Sequence, residues 1–287
     1  MRSDIARGIP VVLLLAALFA YRGVLYWWCR FYHMVPRRPI SSSRGAIPAI
    51  LYKQGETDNL PEPIVELYRT IESENPSYRV VYFSDRTRRQ FIAERLEGTF
   101  SGVLAAYDRL IVGAYRADLF RLCVLFANGG VYGDFSQQYL APLDSLVDRR
   151  RDELVLTLDA PKPRRMEWPP YSGISNGFLA SRPGHPFVAH CIRQIVENVQ
   201  KSYYGSSSLD PSGPSLLRDV LCRHPETRYR MDVAKLFHGK GSCSMYYQRL
   251  GTHERVIQHK LPGHYALMKT AGEHYDIAWR HRRMYRP

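Results

Sequence analysis

The chain has 287 residues, 45% of them hydrophobic and 23% charged, with a net charge of +13. These values exclude a disordered tail, a collagen-like fibre and a disulfide-stapled miniprotein, and they leave room for one large globular domain. The charge is uneven: residues 1–46 carry seven arginines against the single acid Asp4, and residues 280–287 carry four arginines and no acid. The body between them is nearly balanced. A nucleic-acid binder needs a basic face interleaved with aromatics, which a near-neutral body does not supply, so nucleic acid is not an expected partner.

From Ile9 to Cys29 the only charge is Arg22, and Val11 to Tyr21 is an unbroken Val/Leu/Ala/Phe run. As a helix this span reaches about 31 Å, close to one hydrocarbon thickness. Arg22 lies late enough to snorkel, and Tyr26, Trp27 and Trp28 form an interfacial aromatic belt. The span reads as a single-pass membrane anchor. A cleaved signal peptide is the alternative, against which Leu18 at the minus-three position of its cleavage site counts. Arginines stand on both sides of the span, so the positive-inside count leaves the orientation open. Residues 30–46, with their Pro/Ser/Arg run, read as a stem.

Ile47 to Lys53 predicts a first buried strand, and 63–72 a helix. Arg79 to Phe83 predicts a second strand, and Ser84 or Asp85 caps a helix running to Leu96. Alternation of strands and helices argues for an α/β fold with a largely parallel sheet. Leu119, Leu122 or Cys123, and Phe126 recur at helical spacing, and Asn128-Gly129-Gly130 supplies a stop, giving a helix over 111–127. Val131-Tyr132 then starts a short strand that delivers Asp134 to its end, where α/β sheets collect ligands. Strands at 153–158 and 177–180 follow, then an amphipathic helix over 186–200, a turn at 209–214 and a helix over 215–222. Beyond Glu226 the Tyr- and His-rich segments have no clear period. The five cysteines (Cys29, Cys123, Cys191, Cys222, Cys243) form no C-x-x-C pair, which removes zinc and redox motifs and leaves one or two disulfides open. Asn75 is followed by Pro76, so no glycosylation sequon remains.

Six segments stand in order: Ile47-Pro48 with its strand, Ala117-Asp-Leu-Phe-Arg121, Gly129-Gly-Val-Tyr-Gly-Asp134, Pro142-Leu-Asp144, Asn176-Gly-Phe-Leu-Ala-Ser-Arg-Pro-Gly-His-Pro186 and Gly213-Pro214. Together they resemble glycosyltransferase family 32, the D-x-D sugar transferases that include initiating mannosyltransferases and are related to glucosylating clostridial toxins. The resemblance spans residues 47–223, and the tail His274-Tyr-Asp-Ile-Ala-Trp279 resembles the closing segment of some members. It implies a GT-A (Rossmann-like, nucleotide-sugar-binding) fold over 47–287 and a type II layout, with residues 1–8 cytosolic, 9–29 spanning the membrane and the domain facing the Golgi or ER lumen. It also implies a UDP- or GDP-hexose donor, a glycan, glycolipid or protein acceptor, transfer with retention, and a divalent metal, Mn²⁺ or Mg²⁺.

By that resemblance Asp134, Asp118 and Arg121 are the catalytic set, and Asp134 with Ser136 holds the metal. Asp118, Arg121, Tyr132, Asn176, His274 and Trp279 line the donor or substrate site, and His264 is a further candidate for a lid or a metal ligand. Breaking a sugar–diphosphate bond leaves negative charge on the β-phosphate while the anomeric carbon gains oxocarbenium character, which a hard cation and a bidentate arginine suit. Each residue has a plainer rival: an i, i+3 salt bridge for Asp118 and Arg121, a turn for Asp134 and Asn176, packing for Tyr132, and ordinary polar and aromatic surface for His264, His274 and Trp279. Two departures from the family pattern stand out. The second carboxylate of D-x-D is replaced in Asp134-Phe135-Ser136, and Tyr52-Lys53-Gln54-Gly55 occupies the place of His-Gln-Thr-Trp.

Overall fold

A computed structural model describes residues 46–159, 173–237, 245–268 and 273–286. The anchor read at 9–29, the stem, Cys29 and Cys243 lie outside the described residues. Among the described residues no helix is long and apolar enough to cross a membrane. Cys123, Cys191 and Cys222 are free thiols.

The chain runs β1 (Ile50–Gln54), α1 (Glu62–Glu74), β2 (Arg79–Phe83), α2 (Asp85–Arg95), α3 (Val103–Arg109), α4 (Gly113–Asn128), β3 (Gly130–Gly133), β4 (Gln138–Tyr139) and α5 (Leu143–Leu146). It continues with β5 (Leu154–Asp159), β6 (Gly173–Ser181), α6 (Pro186–Gln200), α7 (Pro214–Arg223), β7 (Arg230–Phe237), β8 (Met245–Arg249), β9 (Arg255–Gln258), α8 (His264–Met268) and α9 (Tyr275–Arg280). The strands form one sheet in the order β2-β1-β3-β6-β5-β7-β8-β9-β4. The sheet is mixed, which corrects the expectation of a largely parallel one. β2, β1 and β3 are parallel, as are β5 and β7, whereas β6 runs antiparallel between β3 and β5 and the β7-β8-β9-β4 edge is antiparallel throughout. A short connection that returns a strand beside its predecessor favours antiparallel pairing, because a parallel return needs a long crossover. Helices precede β2, β3 and β7, which each have a parallel neighbour, while β8 and β9 follow β7 with no described helix between them.

Apolar residues fill both faces of the sheet. Tyr52, Tyr132 and Leu179 join α3, α4, α6 and α7 in one core cluster, while Leu51, Val131 and Phe178 join α1 and the 135–147 segment in the other. Opposite faces claim successive residues of β1, as the two-residue period requires.

Local chemistry sets the ends of the elements that matter most. The Ser84 side chain caps α2 and forms a capping box with Thr87. α4 stops at Gly129 (φ 66°) and Gly130 (φ 109°), and a Cβ on Gly130 would lie 2.8 Å from the Ile50 carbonyl. Only glycine allows both the positive φ and this approach, so the Gly-Gly pair is what lets β3 enter the sheet directly after the helix.

Candidate active site

Asp118 and Arg121 lie three residues apart on α4, and Asp134 follows the last residue of β3. The Arg121 side chain joins the two elements. Its guanidinium lies 3.1 Å from Asp118 Oδ1 and 3.5 Å from Asp134 Oδ1, donates through Nε to the Ala117 carbonyl, and donates through Nη1 to the Asn176 carbonyl on β6. It also stacks on the Tyr132 ring at 4.7 Å. A bidentate, permanently charged fork is the one side chain that satisfies this many acceptors at once.

Each carboxylate has a defined shell. Asp118 Oδ1 accepts from Asn176 Nδ2 at 2.7 Å, and its Oδ2 accepts from Ser212 Oγ at 2.8 Å. Asp134 Oδ1 accepts from the Tyr132 hydroxyl at 3.0 Å, and that hydroxyl accepts in turn from Gln54 Nε2 at 2.7 Å. Gln54 is held by Arg88, whose guanidinium also contacts Glu56 and Asp85. Asp134 Oδ2 has no hydrogen-bond partner among the described residues, and it would lie 2.7 Å from a Cβ on Gly177. The absent side chain at Gly177 keeps that oxygen's surroundings open.

Burial and charge treat the two carboxyls differently. Burial pushes Asp118 up to about 6, against the pull of Arg121 and the hydrogen bonds from Ser212 and Asn176. Burial also pushes Asp134 upward, but Arg121, His259, Lys235 and the Tyr132 hydroxyl together hold it below the ordinary aspartate value. Asp134 is the permanent anion of the pair, and Asp118 is the one that takes a proton in mildly acidic solution.

The turn that carries Asp134 is anchored from below. Its N–H donates to the Gly177 carbonyl at 3.0 Å, and Gln137 Nε2 donates to the same carbonyl at 2.9 Å. Lys53, fully buried, donates to the Asp134 carbonyl at 3.0 Å and to the Tyr139 hydroxyl at 3.2 Å; burial lowers its pKa to about 7.

The residues expected from the sequence divide into two groups. Asp118, Arg121, Tyr132, Asp134 and Asn176 converge, and Tyr132 contributes its hydroxyl as well as its packing. Ser136 is fully buried, and its Oγ lies 2.5 Å from Nδ1 of His264, the further candidate for a lid or a metal ligand. Burial lowers His264 to about 4, so it is neutral at physiological pH. His274 caps α9 by accepting from the Asp276 N–H, and the Trp279 indole donates to the Tyr204 carbonyl at 2.6 Å. Among the described residues neither shares a hydrogen bond or ion pair with Asp118, Arg121 or Asp134; the tail meets the 208–212 loop through Tyr115, whose hydroxyl bonds both Ser208 and Tyr275 carbonyls, and through Asp276, which accepts from Ser208 Oγ at 3.1 Å. Ser212, Gln54 and Lys53 are further members. For Ser212 the only sequence mark is its place before Gly213-Pro214, while Lys53 and Gln54 are marked only as a departure from the family pattern.

Comparison with known proteins bears on this cluster. Residues 61–152, about a third of the chain, match the family described as "Glycosyltransferase sugar-binding region containing DXD motif". Inositol phosphoceramide mannosyltransferase 3 of Schizosaccharomyces pombe is 31% identical over 54% of this chain and 39% of its own length. The initiation-specific alpha-1,6-mannosyltransferase of the same yeast is 24% identical over 64% of this chain and 50% of its own length. Inositol phosphoceramide mannosyltransferase 1 is 22% identical over 85% of this chain and 78% of its own length. The chain thus spans half or less of the length of the first two. Among solved structures, the PaToxG glycosyltransferase aligns with a TM-score of 0.45 and 17% identity over 63% of this chain and 70% of its own.

Proposed function

We propose, from a chain whose residues 61–152 match a DXD-containing sugar-binding region, that this protein is a hexosyltransferase with a GT-A-type site. It moves a hexose from a UDP- or GDP-linked donor to a hydroxyl of a glycan, lipid or protein. The names of the similar yeast proteins favour mannose as the sugar, and the inositol phosphoceramide enzymes among them favour a lipid acceptor. The observation that carries the reading is Asp134: Oδ1 is fixed by Arg121 and Tyr132 at the end of a parallel strand, and Oδ2 is left open beside Gly177.

The chain's own groups account for the chemistry in the following way. Asp118 Oδ2 retains one lone pair beyond those used by Asn176, Ser212 and Arg121, and accepts a hydrogen bond from a hydroxyl of the sugar. Arg121 cannot lose its charge at working pH and is locked before substrate arrives, so it stabilises phosphate charge as that charge develops without reorganising. The acceptor hydroxyl attacks the anomeric carbon from the face the diphosphate leaves; as the sugar–diphosphate bond breaks the hydroxyl proton passes to the departing diphosphate oxygen, and configuration is retained.

A divalent cation, Mn²⁺ or Mg²⁺, fits the site through one residue. Asp134 Oδ2 is a hard, unpartnered oxygen, and such ions are commonly held by one or two carboxylates with phosphate oxygens and water completing the shell. A complete protein cage does not fit, since among the described residues no group of three His, Cys, Asp or Glu side chains converges as metal ligands. Asp134 would hold the ion, and the ion would act as a Lewis acid toward the leaving diphosphate. The apolar run at 9–29 anchors the domain to a membrane, facing the Golgi or ER lumen.

One observation favours a second reading, a catalytically weak sugar- or lipid-binding relative in a glycosylation complex: the place of the second carboxylate of D-x-D is taken by Ser136, a neutral side chain buried against His264. Screening UDP- and GDP-hexoses with and without Mn²⁺ separates the two. Transfer activity predicts nucleotide release that falls about a hundredfold or more in Asp134→Ala, the scale of losing a transition-state electrostatic contact. Donor binding with no release in either protein supports the second reading, and neither binding nor release overturns both.

A further inference from the structure

Lys53 is an unusual core residue. It lies on the face of β1 that carries Leu51, among the apolar cluster that includes Tyr139 and Phe178, and it is fully buried. Among the described residues no carboxylate contacts its Nζ. The ammonium has only the Asp134 carbonyl at 3.0 Å, the Tyr139 hydroxyl at 3.2 Å and the Tyr139 ring at 4.8 Å. Stability alone favours a methionine or leucine here, because an ammonium withdrawn from water without a counter-ion is costly.

The cost falls at one peptide. The Asp134 carbonyl accepts from Lys53 Nζ and from the Gln137 N–H at 3.2 Å, while the Asp134 N–H is held by the Gly177 carbonyl at 3.0 Å. Both ends of the residue are therefore pinned, and the direction of its carboxylate follows from the orientation of these two peptide planes. Room for the lysine comes from Gly133, where a Cβ would lie 3.1 Å from Nζ and 2.0 Å from the Tyr139 hydroxyl oxygen.

We propose that Lys53 is a positioning residue for transfer: held by Tyr139 beneath the turn after β3, it fixes the Asp134 carbonyl and thereby aims the Asp134 carboxylate at the donor. The proposal rests on the glycosyltransfer reading of Asp134. It assigns Lys53 no contact with substrate.

A double-mutant cycle on donor turnover by the full-length chain tests it, using Lys53→Met, Asp134→Asn and the pair, with donor KM and kcat measured separately. Lys53→Met should lower kcat about thirtyfold with donor KM within about threefold, and in the Asp134→Asn background it should cost less than about threefold, because residues acting through one another are non-additive. A general loss of structure would instead multiply the two losses. That multiplication, or a Lys53→Met kcat within threefold of wild type, overturns the proposal. Should Lys53→Met not fold, Tyr139→Phe keeps the ring and removes one of the two ammonium acceptors. It should lower kcat about threefold to tenfold, with no further loss on top of Asp134→Asn, and a wild-type kcat in Tyr139→Phe overturns the proposal equally. Turnover in the wild type that is indifferent to Asp134→Asn is a different failure: it removes the glycosyltransfer reading of Asp134, and the role of Lys53 with it.

Discussion

The two flanks of Asp134 are built from opposite materials. On the Oδ1 side lie Arg121, Tyr132, Gln54 and Arg88, a chain of charge-bearing and charge-assisted bonds reaching back to Asp85 and Glu56 on the surface of the site. On the other side lie Ser136 against His264 and Gln137 against His259, where burial keeps both imidazoles neutral. One flank carries the guanidinium that bonds Asp134 directly, and the other holds the turn through hydrogen bonds of neutral side chains while Lys235 adds its charge to the same carboxylate. The contrast teaches that the positive charge in direct contact with Asp134 comes from the α4 side, and that the Ser136 side fixes the loop.

The largest expected effect comes from breaking the charged flank. Arg121→Ala leaves Asp118 and Asp134 buried without their counter-charge, a change of the kind that costs about 3–5 kcal/mol, and chemical denaturation should show it together with loss of turnover. Arg121→Lys restores the charge without the fork; it should recover most of the stability while turnover stays well below wild type. Equal recovery of both would mean that charge alone matters on this flank.

Asp118 gives the next effect, and its sign is checkable. Its carboxyl is raised from 3.8 to about 6, so between those values the folded state binds the proton more tightly than the unfolded chain does. The stability associated with this group is therefore full below the lower value, declines as pH rises to about 6, and is absent above it, a swing of about 3 kcal/mol for two units. Asp118→Asn should be more stable than wild type at pH 7.5 and should lose that advantage by pH 4. Its turnover should fall about tenfold to hundredfold, and the acidic limb near pH 6 in the wild-type rate profile should vanish.

Gly177→Ala reaches both flanks less severely. Its methyl group would meet Asp134 Oδ2 at 2.7 Å and the Tyr247 hydroxyl oxygen at 2.6 Å. The carboxylate must shift, and a loss of about 1–3 kcal/mol with about tenfold slower turnover is expected from overpacking. The smallest effect belongs to the neutral flank: Ser136→Ala should cost about 1 kcal/mol and leave the Mn²⁺ half-saturation of turnover within about threefold. A tenfold shift would put the hydroxyl into a metal shell and erase the contrast between the flanks.

How much of this was legible in the sequence depends on the range of the contacts. The stretch from α4 through Asp134 is local: helical spacing, a Gly-Gly stop and a short strand all write themselves into consecutive residues, and the observed helix, Gly113–Asn128, differs from the expected 111–127 only at its ends. The second half of the sheet is not local. β7 to β9 mix Arg, Asp, Lys and Gln with Tyr and Val at both parities, so period-two reading has no purchase, and their pairing is fixed by neighbours far along the chain. Ser212 meets Asp118 across 94 residues and Lys53 meets Tyr139 across 86. A serine in a turn and a lysine ending a strand look exposed until those partners are known. For Trp279 and His274 a family-like tail points to the donor, while the hydrogen bonds their side chains make go to the Tyr204 carbonyl and to the Asp276 N–H at the start of α9.

The C-terminal segment closes against the middle of the chain. Tyr285 forms a bridge with Leu110, the Arg286 N–H donates to the Arg109 carbonyl, and Arg109 in turn donates to the carbonyls of Val199 and Arg286. Residues at the C-terminal end of α3 therefore wait, during synthesis, for a partner made about 175 positions later. Loops that long are slow to close and leave apolar surface uncovered meanwhile. A ribosome-bound chain stalled before residue 284 should hold α3 and α6 in a protease-sensitive state, and emergence of residues 284–286 should be the event that seals them.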